Sequence, residues 1–130
     1  MKPDLPQCLF LLNTTVLTTH QIDAAYWHEW DMFHLPGGNQ FYLILNLPII
    51  ALVLLAFFQV ATKSRLARQS HQFLAGLGLL TVAIHSGFFL AGHQAFLQPV
   101  SLLLLAATLI LSLTQLLSLP LAAPPQPTQR

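Results

Sequence analysis

The stretch 41-FYLILNLPIIALVLLAFFQVA-61 contains no charged residue, and its only side-chain amides are Asn46 and Gln59. A helix needs about 20 mostly apolar residues to cross the hydrocarbon core, because it rises about 1.5 Å per residue and lipid offers no partner for a loose backbone N–H or C=O. This stretch therefore predicts a membrane span. Pro48 cannot donate a backbone hydrogen bond, which predicts a bend inside it.

Three other windows qualify on either side. The run 100-VSLLLLAATLILSLTQLLSL-119 is nearly as uniform, and 73-FLAGLGLLTVAIHSGFFLAGHQAF-96 is apolar but glycine-rich, with His85 and His93. The first, 6-PQCLFLLNTTVLTTHQIDAAYW-27, is the least hydrophobic and turns polar at its far end. Together they predict an all-α, integral membrane four-helix bundle in one domain over 1–119, with spans at about 6–27, 41–61, 73–96 and 100–119. The remainder, 120-PLAAPPQPTQR-130, is a proline-rich tail expected to be extended or disordered. Residues 5-LPQC-8 resemble a lipoprotein cleavage site only faintly, since the apolar run follows the cysteine, so the segment is expected to be retained.

Composition agrees with lipid as the solvent. Of 130 residues, 55% are hydrophobic and 7% charged, with a mean hydropathy of +0.64. A soluble surface normally needs about 25% charged residues. A net charge of +1 with scattered bases excludes a clustered phosphate-binding face, so nucleic acid is not an expected partner. The single cysteine, Cys8, excludes an internal disulfide and a multi-cysteine metal site.

Orientation follows from the bases. Lys63, Arg65 and Arg68 fall between the second and third windows, and four spans bring both termini, with Lys2 and Arg130, to the same side. Bases favour the cytoplasmic face, so both termini are expected there. Asp23, Glu29 and Asp31 then fall toward the outside.

The polar residues of 18-TTHQIDAAYWHEWDMFH-34 need an explanation in such a chain. An aspartate near the middle of a membrane helix costs about 2.5–3.5 kcal/mol, so it is usually paired or functional. Helical periodicity puts His20 and Asp23 on one face, and the outward third window brings His85 to an overlapping depth. Two imidazoles and a carboxylate suit zinc or another divalent metal with one position open to water, so His20, Asp23 and His85 are the candidate ligands. His28 and His93, nearer the outer interface, are weaker candidates. Glu29 is the candidate catalytic carboxylate, but a continuous helix points it away from His20, and it joins the site only if the helix bends or ends near Tyr26. Small residues on the His85 face, Gly78, Thr81 and Gly92, predict close packing of that face against the first span.

Other groups have plainer readings. Tyr26, Trp27, Trp30 and Phe33 suit an interfacial aromatic belt, and Gly37 and Gly38 after Pro36 suit a turn. Ser86 lacks a fixed activating base. A haem held by His20 and His85 fits less well, because Asp23 would place a charge at the porphyrin edge.

His20 and Asp23 followed by His28, Glu29 and Trp30, an H-x-x-D then H-E-W pattern, resemble an uncharacterised family of small bacterial four-helix membrane proteins. The pattern is also distantly similar to the group named for an H-x-x-E-E motif. A looser similarity is to the alkaline ceramidases, seven-helix membrane hydrolases with histidine-bound zinc; four spans and the lack of a paired H-x-x-x-H do not carry hydrolysis over. Two functional readings stay open. One is a metal-dependent membrane enzyme acting on a lipid-like substrate; the other is a non-enzymatic accessory or assembly subunit with a membrane protein partner, its polar cluster serving as interhelical glue.

Overall fold

The computed structural model describes residues 2–119. Five helices follow in order, α1 (Leu5–Tyr26), α2 (Glu29–Met32), α3 (Gly38–Ala61), α4 (Ala67–Leu90) and α5 (Pro99–Leu117), and no strand occurs among the described residues. The proline-rich tail 120–130 lies outside the described residues. The helices α3, α4 and α5 are long and apolar enough to cross a membrane, with mean hydropathies of 2.6, 1.9 and 2.2 over their most apolar stretches. The α1 helix is comparable at 22 residues but carries Asn13, Thr14, Thr15, Thr18, Thr19, His20, Gln21 and Asp23. It lies against α3, α4 and α5.

Local chemistry explains the ends of α1. Asp4 caps the start: its carboxylate accepts the Gln7 N–H at 3.0 Å, and the Gln7 side chain accepts the Asp4 N–H at 3.0 Å. Lys63, in the α3–α4 connection, reaches Asp4 at 2.8 Å, and this contact and the Gln7 N–H hold the Asp4 carboxyl below its ordinary range. Within α1, Thr15 and Thr19 donate back to the carbonyls of Leu11 and Thr15, each at 2.9 Å, so these hydroxyls reach the apolar surroundings already satisfied. At the far end His28 adopts φ 52, a left-handed conformation that costs a non-glycine residue roughly 1–2 kcal/mol. That residue ends α1 and redirects the chain into α2.

The α4 helix is placed differently from its apolar window. It spans Ala67–Leu90 where hydropathy predicts 73–96: a turn in which the Ser64 hydroxyl accepts the Leu66 N–H at 3.1 Å and the Ser64 carbonyl accepts the Ala67 N–H at 3.0 Å leads into the helix ahead of its apolar section. At the other end Gly92, at φ 86, lets the His93 N–H return to the Phe88 carbonyl at 3.0 Å and stops it. His85 consequently sits about 10 Å beyond the centre of α4, near the α2 end, and not at its middle.

Gly78 packs against α5 and not, as its face predicts, against α1. A Cβ there would meet Ser112 Oγ at 2.2 Å and the Thr108 methyl at 3.1 Å, so the backbone approach of α4 to α5 depends on this glycine. Beside it runs a buried polar layer. Asn13 donates to Ser112 at 3.1 Å and to Gln115 at 2.9 Å, while the Gln115 amide donates to the His71 carbonyl at 3.1 Å. Three helices, α1, α4 and α5, are tied by these bonds. The apolar groups Phe10, Leu17, Ala56, Val60 and Leu74 pack nearby, and a second cluster of Ala24, Tyr42 and Phe96 lies toward α2.

Candidate metal centre

The break at His28 brings the glutamate inward. As α2 starts, Glu29 is buried, with 7% of its surface exposed, beside His20 and His85, each 1% exposed. One donor atom from each of the three lies within 4.8 Å of the others. The imidazole rings of His20 and His85 meet edge to face with centroids 4.7 Å apart, which leaves no room for a porphyrin plane between them.

Hydrogen bonding fixes the chemistry of His85. Its Nδ1 lies 2.9 Å from the Thr81 carbonyl, an oxygen that only accepts, so Nδ1 carries the proton and Nε2 presents a lone pair. That lone pair faces Glu29 Oε1 at 3.5 Å, too long for a hydrogen bond, and Nε2 has no partner. Two acceptors facing each other in a buried space repel unless a proton or a cation lies between them. Both nitrogens of His20 are also buried without a partner among the described residues. Buried polar atoms are rarely left unpaired, since each costs about 1–3 kcal/mol. A tetrahedral zinc with ligands near 2.0–2.1 Å would separate two donors by about 3.4 Å, close to the 3.5 Å between His85 and Glu29, while the wider separations, which reach at most 4.8 Å, would have to close by up to about 1.4 Å on loading.

Outer contacts orient these groups. The Tyr42 hydroxyl of α3 donates to Glu29 Oε2 at 3.3 Å, and the Thr81 carbonyl holds His85. Groups of this kind typically alter metal affinity about 10–100-fold when removed. Because the tyrosine bond is long, Tyr42→Phe is expected to weaken metal binding by about 10-fold, at the low end of that range. Titration calorimetry on the variant, with helix content checked by circular dichroism, measures it; unchanged affinity would remove Tyr42 from the site. Phe96 packs over the histidines, its ring centroid 4.4 Å from that of His85 and 5.7 Å from that of His20. It does so from a left-handed backbone, φ 65, in the connection between α4 and α5.

The remaining sequence candidates separate. Asp23, half-buried on α1, has Oδ2 buried without a partner and a charge that reaches His85, yet it is not among the three converging donors. His28 is exposed, stacked on Trp30 with centroids 4.7 Å apart. His93 is exposed beside Phe88. Trp27 and Trp30 pack on the Phe96 and Tyr42 cluster, whereas Tyr26 and Phe33 are exposed. Tyr42 and Phe96 had no sequence motif; the signals pointing to Phe96 were the helix-stopping Gly92 and Pro99 in the first turn of α5.

Burial raises the Glu29 carboxyl above its usual value, opposed in part by the Tyr42 hydrogen bond. In the metal-free protein this favours the protonated form, so the stability it contributes is present below the ordinary carboxylate range and lost as pH rises through the raised value. Metal binding needs the ionised form, so affinity rises over the same range. Thermal melts across pH are therefore expected to slope in opposite directions with and without metal; parallel slopes would count against Glu29 as a ligand.

Fold and site together define a class: all-helical proteins whose apolar helices can cross a membrane and which bury imidazole and carboxylate donors between them. The chain belongs to a family of unknown function, DUF6713, which matches residues 6–121. No curated protein and no solved structure matches it.

Proposed function

We propose that this protein is a four-span bacterial inner-membrane protein with a zinc-class metal centre formed by His20, Glu29 and His85 near the outer face, and that it acts as a metal-dependent enzyme on a lipid-like substrate. The observation that carries the reading is the set of buried, unpartnered donors: both nitrogens of His20, and His85 Nε2 opposite the Glu29 carboxylate. In this arrangement α1 crosses as the fourth span, its Asn13 and His20 sheltered by its neighbours, with Lys63, Arg65 and Arg68 on the cytoplasmic side.

A divalent metal held by His20, Glu29 and His85 would supply Lewis-acid chemistry at a fourth, open position. Asp23, one helical turn from His20 with a buried spare oxygen, would serve as a proton acceptor beside that position. The glue reading of this cluster calls for hydrogen bonds from His20, and neither of its nitrogens has a partner among the described residues. Interhelical bonds of that kind run from Asn13 and Gln115, and within the cluster from Tyr42 to Glu29. The test is elemental analysis of protein purified without a histidine tag and then dialysed against a mixture of divalent metals. One zinc-class ion per chain is expected; metal-free protein after dialysis would overturn the proposal.

A further inference from the structure

We infer that the cleft enclosed by α1, α3 and α4 holds one acyl chain of a bilayer lipid, with the carbonyl end of that chain toward His20 and His85. This rests on the reading of the helices as spans and of the two histidines as metal ligands, and it assigns the substrate class of that site. The cleft has a volume of about 320 Å³ and its lining contains no charged residue. Small-molecule sites of about 300–1,000 Å³ are characteristically apolar with a few placed polar groups, and this one falls at the lower end.

Its direction follows from the antiparallel helices. Gln21, Ile49 and Ile84 line one end, while Thr14, Leu54 and Leu77 line the other, roughly seven residues or about 10 Å away along α1 and α4. The first end is level with the candidate ligands along the helices, since Gln21 follows His20 and Ile84 precedes His85, while the ligands themselves lie outside the lining. Thr81, whose carbonyl fixes His85 at 2.9 Å, is itself a lining residue.

One stripe of α3 runs from the site to the cleft. Tyr42, bonded to Glu29, is followed one turn later by Asn46, bonded to Gln21, and then by Ile49, Ile50 and Val53 in the cleft wall. These positions recur at helical spacing and so share one face. The lining residues of α3 and α4 belong to the middle sections of those helices, the depth at which a bilayer contains hydrocarbon. With no ionic group in the wall, a lipid chain matches it, and a chain seated there directs its polar end to the Asn46–Gln21 pair and the metal centre.

The experiment uses the full chain in nanodiscs of phosphatidylcholine carrying a photoreactive diazirine in the middle of one acyl chain, with adducts mapped by mass spectrometry. Adducts are expected to concentrate on cleft residues. They should be lost in Ile50→Trp and in Leu80→Trp, which fill the cleft from half-exposed positions, and kept in Ile110→Trp on the exposed side of α5. Adducts scattered evenly over the outer faces of α3 and α5, or cleft labelling that persists in both filled variants, would overturn the inference. Metal content is measured on the same samples. Scattered adducts on metal-loaded protein reject the cleft and leave the metal reading intact; concentrated adducts on protein that cannot be loaded support the cleft and reject the metal reading.

Discussion

Replacing His20 with alanine is expected to abolish metal binding while leaving the helices in place. His20 is one of three converging donors, so its loss should cost more than the about 10–100-fold that outer-shell changes cause. The structural consequence is smaller than its burial implies. Emptying a buried site of this size costs about 2–5 kcal/mol by comparison with large apolar side chains. Against that, the two unpartnered nitrogens of His20 each cost about 1–3 kcal/mol where they stand, and the substitution removes both. These effects roughly cancel, so the metal-free variant should melt near the metal-free parent. Glu29→Gln provides a second route, because it keeps the shape and can still accept the Tyr42 hydrogen bond while losing the charge. Either variant retaining stoichiometric metal, measured by elemental analysis and calorimetry, would remove that residue from the ligand set.

Gly78→Ala is expected to be the most damaging single-methyl change in the described residues. The added Cβ would lie 2.2 Å from Ser112 Oγ and 3.1 Å from the Thr108 methyl. Overpacking of this kind costs about 1–3 kcal/mol. Rotating Ser112 away also breaks its 3.1 Å bond from Asn13, leaving that buried amide with Gln115 as its remaining partner. The expected result is a lower melting temperature and weaker α4–α5 packing, partly restored by Ser112→Ala, which removes the shortest contact but leaves Thr108 in place. Gly76→Ala and Gly87→Ala are the internal controls: nothing lies within 4 Å of either Cβ. They should be neutral or stabilising by up to about 1 kcal/mol, since alanine is the better helix former. Equal destabilisation at all three positions would show that helix propensity, and not the Ser112 contact, governs the response.

Which features were legible in the chain follows from the range of the forces involved. Uniform hydropathy is local, and it located α3 and α5 to within a few residues of Gly38–Ala61 and Pro99–Leu117. Depth counting placed His20 and His85 at overlapping levels, and their rings do meet. The α4 boundaries were displaced because hydropathy does not register a turn at Ser64 that leads into a helix within a polar segment or a glycine that stops it in an apolar one. Glu29 was the hardest to place. On a continuous helix it points away from His20, and the left-handed conformation of His28, uncommon for a residue other than glycine, turns it back. Phe96 was hidden for the same reason, since its positive φ returns the ring to the histidines from a connection. Asp23, the most conspicuous charge in the first helix, lies beside the converging donors and not among them.

The most direct measurement is X-ray absorption at the edge of the bound metal, on the full chain in nanodiscs loaded with zinc. The account gives one ion per chain with only nitrogen and oxygen neighbours at about 2.0–2.2 Å, two of them imidazoles, and loss of one imidazole contribution in residual metal bound to His85→Ala. Zinc that does not load, or a first shell without imidazole that is unchanged in His85→Ala, would contradict it.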